Sequence, residues 1–135
     1  MATIILAEDH VLVRQGLRRI IEEDSALQVI HEVGNGVELL ELLEDNKDNP
    51  PDIVILDISM PRLSGTESAK VIRQLYPWIK ILILTMHREK HYFSKAQEIG
   101  VNGYVLKDEA DTDLNSAIKT ILQGSTYISP LIGDA

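Results

Sequence analysis

Cysteine is absent from this sequence of 135 residues, which excludes disulfide bonds and thiolate metal sites. Long apolar runs are missing too, because none approaches the roughly 20 residues that a membrane-spanning helix needs. The N-terminus, MATIILAEDH, has no basic residue before its apolar run and so does not resemble a secretory signal peptide. We therefore expect a cytoplasmic location and no membrane partner.

Basic residues are also scarce. Lysine and arginine number 13 against 21 aspartate and glutamate residues, for a net charge of −8. An acidic surface repels the phosphates of nucleic acids, so the chain is a poor candidate for direct DNA binding. Its length and its hydrophobic fraction of 44% suit one globular domain with a sizeable core.

Short apolar runs alternate with segments that have a period near 3.6 residues. The runs are TIILA (3–7), LQVIHEV (27–33), IVIL (53–56), KILIL (80–84) and GYVL (103–106). The cleanest helical stripe is Leu114, Ala117, Ile118, Ile121 and Leu122, and a shorter one is Ala69, Ile72, Leu75 and Tyr76. Gly100 and Gly124 stand where helix C-termini are expected, and Ser64 or Thr66 could cap a helix N-terminus.

This alternation predicts an α/β fold, with a parallel sheet covered by helices on both faces. The runs IIL, IVIL and ILIL are apolar without interruption, as strands buried on both faces require. The run LQVIHEV is more polar, and we expect it at an edge of the sheet.

Polar residues follow four of the predicted strands. Glu8 and Asp9 follow the first, Asp57 the third, Thr85 the fourth and Lys107 the fifth. The carboxyl ends of parallel strands share one edge of the sheet, where such folds bind ligands. We therefore expect these side chains to converge in one crevice.

Three carboxylates in one place repel one another unless a cation lies among them. Oxygen donors without cysteine or an obvious histidine favour Mg²⁺. An exposed carboxylate at Asp57 could act as a nucleophile and form an aspartyl phosphate. Lys107 and Mg²⁺ would neutralise the phosphoryl charge, and Thr85 would add a hydrogen bond.

Each residue also has an ordinary structural reading. Asp9 could cap a helix, and Glu8 could be solvated. Thr85 and Lys107 could be plain strand-end residues. Asp57 is harder to explain in this way after so apolar a strand, and the joint pattern favours a site.

Four segments, ILAEDH, IVILDISMPRLSG, ILILTM and GYVLKDE, together resemble the receiver domain of two-component response regulators. Their order and spacing match that family, and the resemblance covers residues 3 to 130. It implies a flavodoxin-like (βα)5 doubly wound parallel sheet with strand order 2-1-3-4-5. We expect the receiver domain at 1–130 and the start of a linker or C-terminal tail at 131–135.

The resemblance also implies roles for the site residues. Asp57 would accept a phosphoryl group from the phosphohistidine of a sensor histidine kinase. Asp9, Asp57 and the backbone carbonyl of Ser59 would bind Mg²⁺, and Glu8 would hold it mostly through water. The domain would catalyse only its own phosphorylation and dephosphorylation, so we do not expect an enzyme in the ordinary sense.

By the same resemblance, Lys107 would pair with the phosphoryl oxygens, while Thr85 and Tyr104 would form the conformational switch. From the chain alone, Tyr104 could equally be a packing residue. Three further positions would bear on phosphoryl lifetime or donor access: Ser59, His87 and Met86.

GYVLKDE and the ending GSTYISPLIGDA resemble the subgroup whose receiver precedes a LuxR-type helix-turn-helix domain. We expect the chain to be a piece of a longer protein that controls transcription and contacts DNA only through that domain. A homodimer could form through helices 1 and 5, or through helix 4, strand 5 and helix 5. Leu12 and Tyr127, taken as exposed, could serve either face.

Three alternatives are open. A phosphatase of the haloacid dehalogenase type would need a second aspartate two residues after Asp57, where Ser59 stands. A nucleotide- or flavin-binding module would need glycines and free N–H groups after the first strand, where Glu8 and Asp9 repel phosphate. A docking module that is never phosphorylated would not need the complete set of acidic residues, threonine and lysine.

Overall fold

A computed structural model of the chain describes residues 1–130 and residue 132. The strands are β1 (Ala2–Ala7), β2 (Leu27–Val33), β3 (Ile53–Leu56), β4 (Lys80–Thr85), β5 (Gly103–Leu106) and β6 (Tyr127–Ile128). The helices are α1 (Val11–Glu22), α2 (Gly36–Asp45), α3 (Gly65–Leu75), α4 (Lys90–Ile99) and α5 (Ala110–Leu122), with a short 3-10 turn at Lys107–Glu109. The tail expected at 131–135 lies, apart from Ile132, outside the described residues.

The sheet is parallel and runs in the order β2-β1-β3-β4-β5-β6. The predicted α/β fold and the order 2-1-3-4-5 are therefore confirmed for the first five strands. The more polar strand β2 lies at one edge, as its sequence predicted. A bilayer-spanning helix is absent from the described part of the chain.

Two apolar cores pack on the two faces of the sheet. Helices α2, α3 and α4 cover one face, and α1 and α5 cover the other. Central strands contribute to both cores because successive side chains point to opposite faces, and all four residues of β3 are buried. This double burial explains the uninterrupted apolar run that precedes Asp57.

Helix ends agree with the sequence in most places. Ser64 caps α3, its hydroxyl accepting a hydrogen bond from the Glu67 N–H at 3.2 Å. Gly100 ends α4 in the left-handed region, at φ 89°. The apolar stripe predicted for α3 is wrong at its C-terminal end, because the helix stops at Leu75. Leu75 is 59% exposed, and Tyr76 is buried just beyond the helix.

The sixth strand was not predicted. Tyr127 and Ile128 pair with β5, and the next residue, Ser129, donates its N–H to the Tyr104 carbonyl at 2.9 Å. Tyr127 is half-buried in this strand, so the expectation that it is exposed is wrong. A strand of two residues has no periodicity from which the sequence could reveal it.

Candidate functional site

Four strands of the sheet deliver polar side chains to its carboxyl edge. Glu8 follows β1, Asp57 follows β3, Thr85 is the last residue of β4, and Lys107 follows β5. Strand order reverses between β1 and β3, which is the place where folds of this kind form a ligand crevice. The structure thus brings the predicted side chains to one edge.

Lys107 joins two buried carboxylates. Its Nζ donates to Asp57 Oδ2 at 3.0 Å and lies 2.5 Å from Glu8 Oε1. Glu8 is 1% exposed and Asp57 is 7% exposed. The expectation of an exposed carboxylate at Asp57 is therefore wrong, and the ammonium group offsets the cost of burying it.

The charge of Lys107 is itself stabilised by these neighbours. Burial alone would lower the pKa of Lys107. Hydrogen bonds from its ammonium group to Glu8 and Asp57, together with their negative charges, outweigh that effect and raise the pKa above its ordinary value of 10.5. Lys107 therefore stays cationic at neutral pH.

The loop after Asp57 closes tightly against the start of α3. Asp57 Oδ1 accepts a hydrogen bond from the Ser59 N–H at 3.3 Å, and the Gly65 N–H donates to the Ile58 carbonyl at 2.8 Å. A Cβ atom on Gly65 would lie 1.9 Å from the Asp57 carbonyl oxygen. Gly65 is therefore needed where the backbone approaches the Asp57 peptide.

A cluster that could hold a cation includes one member of this carboxylate pair. Glu8, Asp9 and His10 each offer one ligand atom, and these atoms lie within 4.8 Å of one another. Glu8 Oε1 is buried against the Lys107 ammonium group, and Asp9 is exposed. Two neighbouring carboxylates suit a divalent cation, and their oxygen donors suit Mg²⁺.

His10 is the cluster member that the sequence reasoning missed. The set was expected to hold no obvious histidine, but His10 directly follows the acidic pair and reaches the same place. Its position in the segment AEDH was the available signal. Asp57 is not one of the three residues and is linked to Glu8 through Lys107.

Thr85 and Tyr104 are connected through one peptide segment. The His87 N–H donates to Thr85 Oγ1 at 3.1 Å, and the Tyr104 hydroxyl donates to the His87 carbonyl at 3.1 Å. Tyr104 is fully buried, with its ring edge-on to Phe93 at a centroid distance of 5.4 Å. Burial, with a smaller contribution from the negative charge of Glu89, raises the pKa of Tyr104 well above its ordinary range.

Two of the positions that the resemblance links to phosphoryl lifetime touch each other. Ser59 Oγ lies 3.1 Å from His87 Nε2, and the His87 ring stacks on Tyr92 at a centroid distance of 4.2 Å. The third position, Met86, is 60% exposed at the end of β4. The structure thus places a hydroxyl–imidazole pair next to the loop that carries Asp57.

Comparison with known proteins gives consistent matches. Residues 4–119 match the family described as the response regulator receiver domain. The transcriptional regulatory protein DegU of Brevibacillus brevis is 34% identical over 129 residues, which are 96% of this chain and 53% of DegU. The chain thus spans about half the length of this curated relative.

Solved structures agree in fold. A two-component response regulator of the LuxR family from Aurantimonas sp. SI85-9A1 superposes with a TM-score of 0.92 at 37% identity, covering 99% of this chain and 94% of that one. The isolated receiver domain of RcsB from Salmonella enterica serovar Typhimurium, solved with the phosphomimetic BeF3⁻, has a TM-score of 0.89 at 26% identity, with coverage of 98% and 96%.

RcsB has also been solved as two dimers bound to two parallel DNAs, with a TM-score of 0.89 at 26% identity, over 98% of this chain and 66% of that chain. None of these matches is a phosphatase of the haloacid dehalogenase type or a nucleotide-binding module, so they give those alternatives no support.

Proposed function

Because the chain belongs to the response regulator receiver domain family, we propose that Asp57 accepts a phosphoryl group from the phosphohistidine of a sensor histidine kinase. The observation that carries this proposal is the pairing of Asp57 with Lys107, 3.0 Å apart, at the carboxyl edge of the sheet. Lysine beside a strand-end aspartate supplies the positive charge that phosphoryl transfer requires.

In the transfer, an oxygen of Asp57 forms a bond to phosphorus while the bond between phosphorus and the donor imidazole nitrogen breaks, and the imidazole keeps the electron pair. Lys107, already in contact with this carboxylate, neutralises charge on the phosphoryl oxygens. Mg²⁺, when bound by Asp9, Asp57 and the Ser59 carbonyl, with Glu8 contributing through water, would supply further positive charge.

The switch follows from the link between Thr85 and Tyr104. The Thr85 hydroxyl accepts a hydrogen bond from His87, which leaves its own proton available for a phosphoryl oxygen. A shift of Thr85 toward the phosphoryl group would move His87 and the hydrogen bond that Tyr104 makes to it. A local change of charge would thereby bias a two-state element.

Phosphoryl lifetime would depend on Ser59 and His87, which touch beside the acceptor loop. Neither side chain is a carboxylate that could hold an attacking water. Met86 would affect which donors reach Asp57, because its side chain is exposed at the end of β4.

The output is control of transcription by a DNA-binding domain outside this chain. DegU is named a transcriptional regulatory protein, and RcsB dimers bind DNA. The net charge of −8 opposes direct DNA contact by this domain. A histidine kinase and DNA as partners would place the protein in the cytoplasm.

For a homodimer, we propose the face formed by α1 and α5 as the interface. These helices adjoin, since Asn115 donates to the Ile20 carbonyl at 2.8 Å, and Leu12 on α1 is 81% exposed. At the alternative face of α4, β5 and α5, the strand β6 pairs along the edge of β5.

The test is the intact mass of the chain after incubation with acetyl phosphate, with and without Mg²⁺. We expect a gain of one phosphoryl group that needs Mg²⁺ and is absent from Asp57→Ala. Asp52→Ala is the matched control, because Asp52 immediately precedes the same strand at its opposite end and should leave the gain intact. A folded chain that gains no phosphoryl group would contradict the proposal and favour an unphosphorylated docking module.

A further inference from the structure

Arg14, in the first turns of α1, reaches back to the acidic pair at the end of β1. Its Nη1 donates to the Glu8 carbonyl at 2.7 Å, and its Nε donates to Glu32 Oε1 of β2 at 3.2 Å. We propose that Arg14 is a positioning residue for the cation site of Glu8 and Asp9. This inference rests on the proposed function, because it concerns the same Mg²⁺ site.

The bond to Glu8 acts at the peptide that joins the two carboxylate residues. The Glu8 carbonyl belongs to the peptide that leads into Asp9, so its orientation determines where the Asp9 side chain begins. On the other side, the Glu8 N–H is held by the Val33 carbonyl at 3.0 Å. Arg14 therefore holds the carbonyl group of Glu8, while Val33 of β2 holds the N–H group of the same residue.

The Glu8 carboxylate also supports this turn. His10, the N-cap residue of α1, makes no side-chain capping bond. Its N–H donates to Glu8 Oε2 at 3.0 Å, a bond that spans the turn but does not hold the Glu8 carbonyl. Without the Arg14 side chain, the Glu8 carbonyl would lose this hydrogen bond, and the peptide that leads into the exposed Asp9 would be less constrained.

Arg14 is itself held in place. Glu32 binds Arg14 and also Arg18, one turn further along α1. A Cβ atom on Gly34 would lie 3.4 Å from Arg14 Nη1, so the guanidinium packs against a site without a side chain. Lysine could keep the charge but has no planar fork that reaches Glu8 and Glu32 together.

The charge of Arg14 and its proposed positioning role predict opposite changes in Mg²⁺ affinity when Arg14 is removed. A cation near a cation site repels Mg²⁺, so the loss of its charge alone would tighten Mg²⁺ binding. If Arg14 positions the turn, its loss instead weakens binding, because the carboxylates must be ordered before they can share the ion. The sign of the change therefore separates the two effects.

The experiment is calorimetric titration of Mg²⁺ into the metal-free chain, for Arg14→Lys and Arg14→Met. We expect each to weaken Mg²⁺ binding about threefold to tenfold, the range of one lost hydrogen bond. Arg18→Met is the matched control, because Arg18 pairs with Glu32 and Glu22 but makes no described contact with Glu8. It should change the affinity less than about twofold.

Phosphorylation by acetyl phosphate supplies the second readout. The Mg²⁺ concentration for half-maximal rate should rise by the same factor in the Arg14 variants, while the rate at saturating Mg²⁺ stays unchanged. Thermal unfolding in metal-free buffer establishes that each variant is folded, and Arg14→Lys is the milder change should Arg14→Met unfold.

Unchanged or tighter Mg²⁺ binding in Arg14→Lys would overturn the inference, as would an equal loss in Arg18→Met. A wild-type chain that binds no Mg²⁺ would overturn the Mg²⁺ site in the proposed function, and this inference with it. Wild-type binding with no difference between the Arg14 and Arg18 variants would overturn the inference alone.

Discussion

At the scale of single residues, Lys107 explains how the sheet tolerates two buried carboxylates. Its ammonium group lies between Glu8 and Asp57, with 15% of its side chain exposed. Removal of one partner from a buried ion pair leaves the other charge uncompensated. Lys107 therefore has a structural role in addition to its proposed role toward a phosphoryl group.

We predict that Lys107→Met lowers the free energy of unfolding at pH 7 by about 3 kcal/mol. The reason is that Glu8 and Asp57 would then face each other without a cation, and bound Mg²⁺ should restore part of the loss. Urea denaturation in metal-free buffer, repeated with Mg²⁺, measures both effects.

The control for this change is Lys47→Met. Lys47 pairs with Glu44 at 3.2 Å, and both side chains are mostly exposed, so we expect no measurable loss because water screens such pairs. Equal losses in the two variants would show that the contact of Lys107 with the buried carboxylates is not the cause.

At the scale of the secondary-structure elements, the site depends on how α3 begins. Gly65 opens α3 with its backbone against the Asp57 carbonyl, and Ser64 caps the same helix. The start of the helix and the acceptor loop therefore form one packed unit. A change at Gly65 should reach Asp57 although the two residues are eight positions apart.

We predict that Gly65→Ala destabilises the chain by about 3 kcal/mol, because the added methyl group meets backbone atoms that cannot rotate away. It should also slow the phosphorylation of Asp57 by acetyl phosphate. Denaturation and the initial phosphorylation rate are the two measurements.

Gly16→Ala is the matched control. Gly16 lies inside α1, and no described atom beyond its chain neighbours and the adjoining helix backbone lies within 4 Å of the position that an added methyl group would occupy. Alanine should therefore stabilise the helix by about 1 kcal/mol and leave the phosphorylation rate unchanged. Destabilisation at both glycines would argue against a specific close approach at Gly65.

The sequence predicted some helices and strands better than others. The stripe of α5 was predicted well, because Leu114, Ala117 and Ile118 repeat with the helical period and are all buried. The end of α3 was misread at Leu75, since periodicity alone does not show where a helix stops. The strand β6 escaped prediction because its pairing partner, not its own composition, makes it a strand.

At the scale of the whole molecule, the buried Tyr104 and the partly buried Lys107 make the free energy of unfolding depend on pH in the alkaline range. Tyr104 has a pKa raised above its ordinary value of 10.0, chiefly by burial. The pKa of Lys107 is also raised above 10.5, because Glu8 and Asp57 together outweigh the lowering effect of burial. In both cases the folded state holds the proton more tightly than the unfolded state.

We predict that this stability is fully present below the unfolded pKa values and is lost as pH rises through the folded ones. The free energy of unfolding should therefore fall above about pH 10. Tyr104→Phe should show a shallower fall over the same range, because phenylalanine has no proton to lose. Urea denaturation from about pH 8 to about pH 11.5 spans the ordinary pKa values of both groups, and parallel curves for the two proteins would contradict the prediction.

The sequence by itself determined the parallel sheet, the covering helices and the chemical composition of the carboxyl edge. Those features follow from local periodicity and from the residues that directly follow each strand. It did not reveal which groups pair. Lys107 bridges two carboxylates far from it in the chain, and Arg14 holds the Glu8 carbonyl while Glu32 holds Arg14.

Only the tertiary structure decided these pairings, and likewise the path from Thr85 through His87 to Tyr104. The physical reason is that a hydrogen bond depends on distances and directions between groups that distant segments bring together. Residue type limits what each group can donate or accept, but the packing of the sheet and helices selects its partner.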